Sequence, residues 1–368
     1  MLRICSQYFQ KTDMSYEDFE SLHELGWNGS LARQLVLDGD DALIPVRVME
    51  VHRDKLRVAG ENTNKLIDLP VLAGRTDDEG APTVGDWLLL DRDALHFGRL
   101  LERQSLFKRR AAGTSGKTQL IAANIDTVFI VSSCNQDFNE ARLERYLVLA
   151  REANVFPVVV LTKADLSDSP ESYAQRASRL LPSLLVETVN ALDSDSVRKL
   201  APFCSTGQTV VLLGSSGVGK STLVNSLTQS SATATQSVRE NDDKGRHTTT
   251  GRAFYRLKDG GWLVDTPGMR EIQLTEAATG ISEVFEEIEL LAAACRYGDC
   301  THLSEPGCAV RSAIERGEVD ESRLVRWRKL QAEERRNSET LAERRARDKD
   351  FGKMVRSVMR EKTDKRSD

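Results

Sequence analysis

Residues 209–227 read TVVLLGSSGVGKSTLVNSL, and this stretch decides the fold. The apolar run TVVLL is typical of a buried strand, STLVNSL has helical spacing, and GSSGVGKS between them fits the pattern GxxxxGK[ST]. Glycines let backbone N–H groups surround phosphate oxygens, and the N-terminus of the following helix adds positive potential. A strand, a phosphate-binding loop and a helix in this order predict an α/β domain that binds a nucleotide.

The phosphate loop predicts contacts for a continuous run of residues. We expect Lys220 to reach the β- and γ-phosphates and the Ser221 hydroxyl to bind magnesium. The expected nucleotide-binding residues of this run are Gly214, Ser215, Ser216, Gly217, Val218, Gly219, Lys220, Ser221 and Thr222. A similar segment, AAGTSGKT at 111–118, follows FKRR instead of an apolar strand, and we assign it to a linker.

Downstream, GWLVDTPG at 261–268 reads as a strand that ends in a carboxylate and a tight turn. Asp265 is in the position from which a carboxylate can hold magnesium through water. The N–H of Gly268 is expected to contact the γ-phosphate. An ordinary turn after a strand is the alternative, and the nearby phosphate loop argues against it.

Upstream, FPVVVLTKAD at 156–165 ends a strand with the pattern [NT]KxD, formed by Thr162, Lys163, Ala164 and Asp165. The carboxylate of Asp165 can accept hydrogen bonds from the N1–H and 2-amino groups of guanine, and the stem of Lys163 can lie along the base. Adenine lacks this pair of donors, so the motif predicts GTP. Thr162 stands where Asn is usual, which weakens the motif; an ATPase with a structural Asp165 is the alternative.

The order of the motifs is unusual. Common GTPases present the phosphate loop first, then DxxG, then NKxD, whereas here the NKxD-like motif at 162–165 precedes the phosphate loop. Between residues 120 and 280, apolar runs alternate with amphipathic stretches, which predicts a parallel sheet covered by helices. A sheet assembled in rotated chain order can build the same site, so we predict a circularly permuted GTPase domain.

A cluster of cysteines lies near the C-terminus. Cys295, Cys300, His302 and Cys308 supply three thiolates and one imidazole, a set that suits one tetrahedral zinc ion and leaves no open position. This spacing predicts a structural zinc site. A disulfide would leave one of the three clustered cysteines unpaired, and a reducing compartment disfavours it.

Changes in pattern along the chain divide it into four segments. Residues 1–43 form an extension, and 44–112 contain short β-rich runs that predict an OB-fold-like RNA-binding barrel. Residues 113–280 hold the circularly permuted GTPase domain, and 281–368 form a zinc-binding and basic helical domain. The predicted fold class is therefore multidomain: an N-terminal OB-like β-barrel, a permuted α/β P-loop GTPase domain and a C-terminal zinc-binding helical domain.

The motifs together resemble one known family. TKAD, GSSGVGKST, GRHTTT and DTPGMRE, followed by CRYGDCTHLSEPGC and preceded by a small β-domain, are similar to the RsgA (YjeQ) family of small ribosomal subunit biogenesis GTPases. The resemblance covers roughly residues 45–330. It implies that the protein binds the immature small ribosomal subunit and its rRNA with GTP, assists late maturation and leaves after hydrolysis to GDP.

The residue that orients the attacking water is not the usual one. Many GTPases have a Gln just after DxxG, but this sequence has Met269, whose thioether cannot position water. His247 is the nearest suitable candidate, and the resemblance implies the same catalytic residue. The alternative is a loop histidine that contacts phosphate or RNA without catalysis. One of the threonines 248–250 is expected to complete the magnesium shell.

Charge and hydropathy limit the remaining classes. The 368 residues carry 51 Lys or Arg and 56 Asp or Glu, a net −5, which excludes a protein coated in positive charge. Residues 323–368 carry +7 and the rest −12, so a basic tail follows an acidic body. No apolar run reaches a membrane span and no secretory signal is present, so we expect a cytoplasmic protein with no membrane contact. No coiled-coil heptads are seen, and we expect a monomer.

Two basic regions lie outside the nucleotide motifs. One is the tail, and the other is the segment RLLERQSLFKRR at 99–110, where basic residues alternate with Leu and Phe. Both suit RNA. A solvated charged strand is the alternative for the second. A GTP-gated RNA-binding switch with a non-ribosomal target is the alternative function.

Overall fold

The computed structural model describes residues 21–35, 42–69, 80–110, 118–228, 252–265, 274 and 276–338. Their contacts divide into two compact units. The first lies within Met1–Lys108 and Leu120–Glu271, and the second within Arg109–Gln119 and Ile272–Asp368. The β-rich segment and the nucleotide motifs therefore belong to the same unit.

The described part of the first unit begins with short helical turns. 3-10 turns span Leu22–Leu25 and Arg33–Leu35, and helix α1 spans Gly29–Ala32. Asn28 caps α1, because its side-chain oxygen accepts the N–H groups of the second and third helical residues. This segment packs on the sheet that follows, and its Leu25 is fully buried.

Five antiparallel strands form the β-module of the first unit. They are β1 (Leu43–Val51), β2 (Lys55–Gly60), β3 (Thr63–Asp68), β4 (Trp87–Asp91) and β5 (Phe97–Leu100). β1 pairs with both β2 and β4, β3 pairs with β2, and β5 pairs with β4. Alternate side chains point to one face and make its core. That core consists of Val46, Val48, Leu56, Val58, Leu88 and Leu90.

The α/β part of the first unit follows a strand pair, β6 (Leu106–Arg110) with β7 (Thr118–Ala123). Its strands are β8 (Thr127–Ser133), β9 (Phe156–Thr162), β10 (Leu185–Thr188), β11 (Thr209–Leu213), β12 (Arg252–Arg256) and β13 (Trp262–Asp265). Its helices are α2 (Glu140–Glu152), α3 (Pro170–Ser178), α4 (Ser194–Val197) and α5 (Lys220–Leu227). The central strands β8, β9 and β11 are almost entirely buried apolar runs without alternation, as expected when helices cover both faces of a sheet.

One continuous sheet joins the two parts of this unit. Its order is β10-β9-β8-β11-β13-β12-β1-β2-β3. From β10 to β13 neighbouring strands are parallel, and β12 is antiparallel to both β13 and β1. The carboxyl ends of β8, β9, β11 and β13 therefore lie along one edge, which is where ligands bind in sheets of this kind.

Arg47 on β1 joins three segments of the first unit. The residue is 1% exposed, and it donates hydrogen bonds to the Leu25 carbonyl (2.6 Å), the Thr209 hydroxyl (2.9 Å) and the Asn124 carbonyl (2.9 Å). Its guanidinium lies 4.6 Å from the centre of the Phe254 ring. Burial lowers the pKa of Arg47 to about 10, so it stays charged at neutral pH. The N-terminal turn, the β-module and the phosphate-loop strand are thus held at one point.

The segment proposed above as a basic RNA-binding edge makes contacts within the protein. Arg103 pairs with the fully buried carboxylate of Asp86 at 2.7 Å, and only 11% of its side chain is exposed. Arg99 donates a hydrogen bond to the Gln34 carbonyl. Arg99 therefore links the β-module to the N-terminal segment, and Arg103 binds the residue just before β4, roles that neither alternative from the sequence included.

The second unit is helical. It contains α6 (Ala278–Val284), α7 (Glu286–Ala293), α8 (Ala309–Glu315) and α9 (Glu321–Ser338). The apolar side of α9 buries Leu324, Trp327 and Leu330, at a spacing of three that suits one helical face. The basic tail beyond 338 lies outside the described residues. Among the helices that are described, none is long and apolar enough to span a membrane.

Candidate functional site

The phosphate loop leaves the carboxyl end of β11 and packs closely on its neighbours. Gly214 has φ +151°, and a Cβ there would lie 2.3 Å from the carbonyl oxygen of Val131 on β8. Gly219 has φ +91°, and a Cβ there would lie 3.2 Å from the hydroxyl oxygen of Thr162. Both positions therefore favour glycine: a Cβ at 214 would clash with the backbone of β8, and the positive φ at 219 disfavours any residue with a Cβ.

Lys220 opens α5, and its side chain lies inside the phosphate loop. It is 6% exposed, and its ammonium donates hydrogen bonds to the carbonyl oxygens of Gly214 (2.6 Å) and Ser215. Ser221 and Thr222 follow in the first turn of α5 and are half-buried. The first N–H groups of a helix have no partner within it, so a cation and the N-terminal N–H groups of α5 converge at this loop.

Thr162 connects the base motif to the phosphate loop. The residue is fully buried at the end of β9, and its hydroxyl lies 2.6 Å from the Val218 carbonyl oxygen and 3.1 Å from that of Ser132. A hydroxyl has one hydrogen, and the shorter distance favours Val218 as its acceptor. Although Thr162 replaces the usual Asn, its side chain still links the base motif to the phosphate loop.

Lys163 makes a second connection to the same loop. Its backbone is left-handed (φ +56°), and its ammonium donates to the Gly217 carbonyl at 2.9 Å. Asp165 follows in a 3-10 turn over Ala164–Leu166 and is exposed to solvent. The structure therefore places a solvent-facing carboxylate beside a phosphate loop that the same motif holds in place.

A loop that the sequence patterns did not single out lies beside Asp165. Residues 189–192 follow β10, which pairs with β9, and the Ala164 N–H donates to the Val189 carbonyl at 3.4 Å. Within the described chain, the N–H groups of residues 189, 190, 192 and 193 have acceptors, whereas that of Ala191 has none. The Ser226 hydroxyl of α5 donates to the Ala191 carbonyl at 2.6 Å. The sequence offers no motif at this loop, because its place beside Asp165 follows from the pairing of β10 with β9.

The remaining nucleotide motifs are only partly described. β13 ends at Asp265, and its parallel register with β11 puts that residue level with the end of β11, next to the phosphate loop. The side chain of Asp265 lies outside the description, as do Gly268, His247 and the threonines 248–250.

In the second unit, the four predicted metal ligands come together. The ligand atoms of Cys295, Cys300, His302 and Cys308 all lie within 4.8 Å of one another. The Nδ1 atom of His302 is 3.5 Å from the sulfurs of Cys295 and Cys308, which are 3.9 Å apart. A zinc–sulfur bond of about 2.3 Å gives sulfurs about 3.8 Å apart in a tetrahedron. The cluster can therefore bind a metal ion, and its donor set fits zinc.

The surroundings of the cluster affect its protonation. Burial opposes ionisation of Cys295, but hydrogen bonds with the N–H groups of Val310 and Ala309 and with the thiols of Cys300 and Cys308 together lower the pKa of the Cys295 thiol. Burial lowers the pKa of His302, which keeps the imidazole neutral at neutral pH. The His302 ring lies 5.6 Å from that of Trp327 on α9. Metal binds to a neutral imidazole and to thiolates, so the shifts at His302 and Cys295 favour binding.

Comparison with known proteins decides the family. A family model described as RsgA GTPase matches residues 100–275. The small ribosomal subunit biogenesis GTPase RsgA 2 of Vibrio parahaemolyticus is 49% identical over 345 residues, which cover 93% of each chain. The small ribosomal subunit biogenesis GTPase RsgA of Mesorhizobium japonicum is 47% identical, over 86% of this chain and 91% of that one. This chain belongs to the RsgA GTPase family.

Two solved structures resemble this RsgA family member in fold. YjeQ from Thermotoga maritima has a TM-score of 0.56 at 24% identity, covering 78% of this chain and 97% of that one. YloQ, described as a circularly permuted GTPase, has a TM-score of 0.55 at 22% identity, covering 83% and 99%. The predicted fold class is confirmed, including the permutation: β9 with TKAD precedes β11 with the phosphate loop in this chain, yet both strands end at one edge of the sheet.

Proposed function

We propose that the protein hydrolyses GTP to GDP and phosphate on the small ribosomal subunit, assists late maturation of that particle and leaves after hydrolysis. One observation carries the nucleotide part of this proposal. Thr162 and Lys163 of the base motif bind carbonyl groups of the phosphate loop, so both halves of a guanine nucleotide site are held together before ligand binds. The names of the relatives support the ribosomal part.

Recognition of the base rests on the donors and the acceptor of one edge of guanine. Asp165 faces solvent and would accept hydrogen bonds from the N1–H and 2-amino groups. The adjacent 6-oxo group needs a donor, and the N–H of Ala191, which has no acceptor among the described residues, would supply one. Adenine reverses the polarity at both positions, so it would leave these groups unpaired.

Recognition of the phosphates rests on the loop and its lysine. The buried ammonium of Lys220 would exchange its bonds to loop carbonyls for bonds to the β- and γ-phosphates. The Ser221 hydroxyl, and Asp265 through water, would hold magnesium. Magnesium bound with GTP neutralises charge on the phosphate oxygens. The N–H of Gly268 would contact the γ-phosphate.

Hydrolysis requires a group that orients water, and we assign His247 to this role because Met269 cannot perform it. His247→Ala should abolish the hydrolysis that small subunits stimulate, while the GTP dissociation constant stays within about threefold. The measurement is phosphate release at saturating subunits, beside GTP titration. Unchanged stimulated turnover would remove His247 from the mechanism.

The second unit is proposed to hold one structural zinc ion. Cys295, Cys300, His302 and Cys308 would occupy all four positions of a tetrahedral site, which leaves none for chemistry. Metal analysis of the purified protein should give one zinc per chain. Its absence would contradict the assignment.

The small subunit and its rRNA are the proposed partners, and the protein is proposed to act in the cytoplasm as a monomer without membrane contact. Sedimentation of purified small and large subunits with a non-hydrolysable GTP analogue tests the partner. We expect enrichment on the small subunit only, and weaker binding with GDP. Equal binding to unrelated RNA would favour a GTP-gated switch with another target, and tighter binding of ATP than GTP would overturn the base assignment.

A further inference from the structure

Glu305 lies in the loop between two ligands of the metal cluster, His302 and Cys308, and its carboxylate binds the backbone on both sides of His302. One oxygen accepts the N–H of Thr301 at 2.8 Å and also the Thr301 hydroxyl. The other accepts the N–H groups of Leu303 at 2.9 Å and Ser304 at 3.1 Å. One side chain therefore satisfies four donors in the four residues that begin at 301.

The backbone at His302 explains why this loop needs support. His302 has φ +58°, in the left-handed region that residues with a Cβ disfavour. This conformation directs Nδ1 to within 3.5 Å of the sulfurs of Cys295 and Cys308. A free chain would seldom hold it, so the contacts of residues 301–304 with Glu305 are needed to maintain it.

We propose that Glu305 is a positioning residue that fixes the loop so that His302 faces the two thiols before a metal ion binds. The inference rests on the proposed metal site. Glu305 is not one of the four clustered ligands, and its oxygens are occupied by the loop. Part of the conformational entropy of the metal-binding loop is then lost during folding and not on metal binding, which should raise the affinity for metal.

The chemistry of the four donors makes the choice of side chain specific. A carboxylate presents acceptors on both oxygens, whereas the amide of Gln presents an acceptor on one side and a donor on the other. Glu305→Gln can keep one pair of contacts, and Glu305→Ala keeps none. Thr301→Val removes only the hydroxyl contact and leaves the N–H in place.

The test is zinc affinity of the full-length protein, measured by competition with a chromophoric chelator. We expect Glu305→Ala to weaken zinc binding about 10–100-fold, the range seen for groups that orient metal ligands. The zinc affinity of Glu305→Gln should lie between those of Glu305→Ala and the wild type, and Thr301→Val should lose less zinc affinity than Glu305→Gln. Glu318→Gln is the matched control, because Glu318 pairs with Arg316 in the same unit and does not touch the loop.

A second readout separates positioning from damage to the fold. At saturating cobalt(II), the wild type and Glu305→Gln should show the same absorption bands of a tetrahedral site with three sulfur ligands, because all ligands remain. Zinc affinities of Glu305→Ala and Glu305→Gln within about threefold of wild type would overturn the inference. If Glu305→Ala is insoluble, zinc affinities of Glu305→Gln and Thr301→Val within about threefold of the wild type would overturn the inference in the same way. A wild type that binds no zinc would instead refute the metal site itself, and the inference with it.

Discussion

Thr162→Val should remove one of the two links between the base motif and the phosphate loop without creating a cavity, since the Thr and Val side chains have nearly the same shape. The variant leaves the buried Val218 carbonyl without its 2.6 Å donor. An unpaired buried acceptor costs about 1–3 kcal/mol. If this cost falls on the loop conformation that binds phosphate, GTP affinity drops about 5–150-fold, because 1.4 kcal/mol is tenfold.

The assay is titration of a fluorescent GTP analogue and of GDP against the wild type and the variant. Thr228→Val is the matched control: it removes a buried hydroxyl at the end of α5, but the Val224 carbonyl that loses this bond keeps the Thr228 N–H. The control should bind GTP normally. If Thr162→Val is folded and binds GTP within about twofold of the wild type, the link does not shape the nucleotide site.

Three further predictions concern other parts of the chain. Asp165→Asn should raise the GTP dissociation constant at least about tenfold and improve binding of xanthosine triphosphate, whose 2-oxo group can accept a hydrogen bond from an amide. Competition titrations measure both affinities, and an unchanged preference for GTP over xanthosine triphosphate would contradict the base assignment. Arg47→Met should lower the free energy of unfolding by about 3 kcal/mol, because three buried oxygens lose their donor; a loss below about 1 kcal/mol in urea denaturation would refute its joining role. Burial raises the pKa of the Cys134 thiol to about 11 and that of the Cys204 thiol to about 12. Neither thiol should therefore react with a thiol reagent at pH 8 until the protein unfolds, whereas chelation of the proposed zinc ion should expose the three cluster cysteines. Labelling of Cys134 or Cys204 in the native protein, mapped by mass spectrometry, would argue against their burial.

The nucleotide motifs could be found from sequence because each is short and continuous. A strand, a glycine loop and a lysine at fixed spacing leave few structural alternatives, and the order of TKAD and GSSGVGKS indicates the permutation. Ala191 had no such pattern. Its place beside Asp165 depends on the pairing of β10 with β9, which joins segments far apart in the chain.

The role of Thr162 could not be predicted from its motif for a related reason. The number of hydrogen-bonding groups on the side chain matters less than the short distance from its hydroxyl to a carbonyl 56 residues further along the chain. The arginines at 99 and 103 show the opposite case. Their spacing is typical of an RNA-binding edge, but the buried Asp86 and the Gln34 carbonyl bind them, and these partners could not be identified from local sequence.

The continuous sheet crosses a segment boundary that the sequence predicts. Composition separates a β-rich segment from an α/β segment near residue 113, yet β1 of the former pairs with β12 of the latter. β12 comes after β11 and α5 in the chain, so the pairing closes a loop of about 200 residues that no local pattern records.

The most direct test of the central claim is the rate of phosphate release from GTP, measured with and without purified small ribosomal subunits. We expect slow turnover by the protein alone and a clear increase with small subunits, but not with large subunits or with ATP as substrate. Turnover of ATP at or above that of GTP, or a GTP rate that small subunits leave unchanged, would contradict the account.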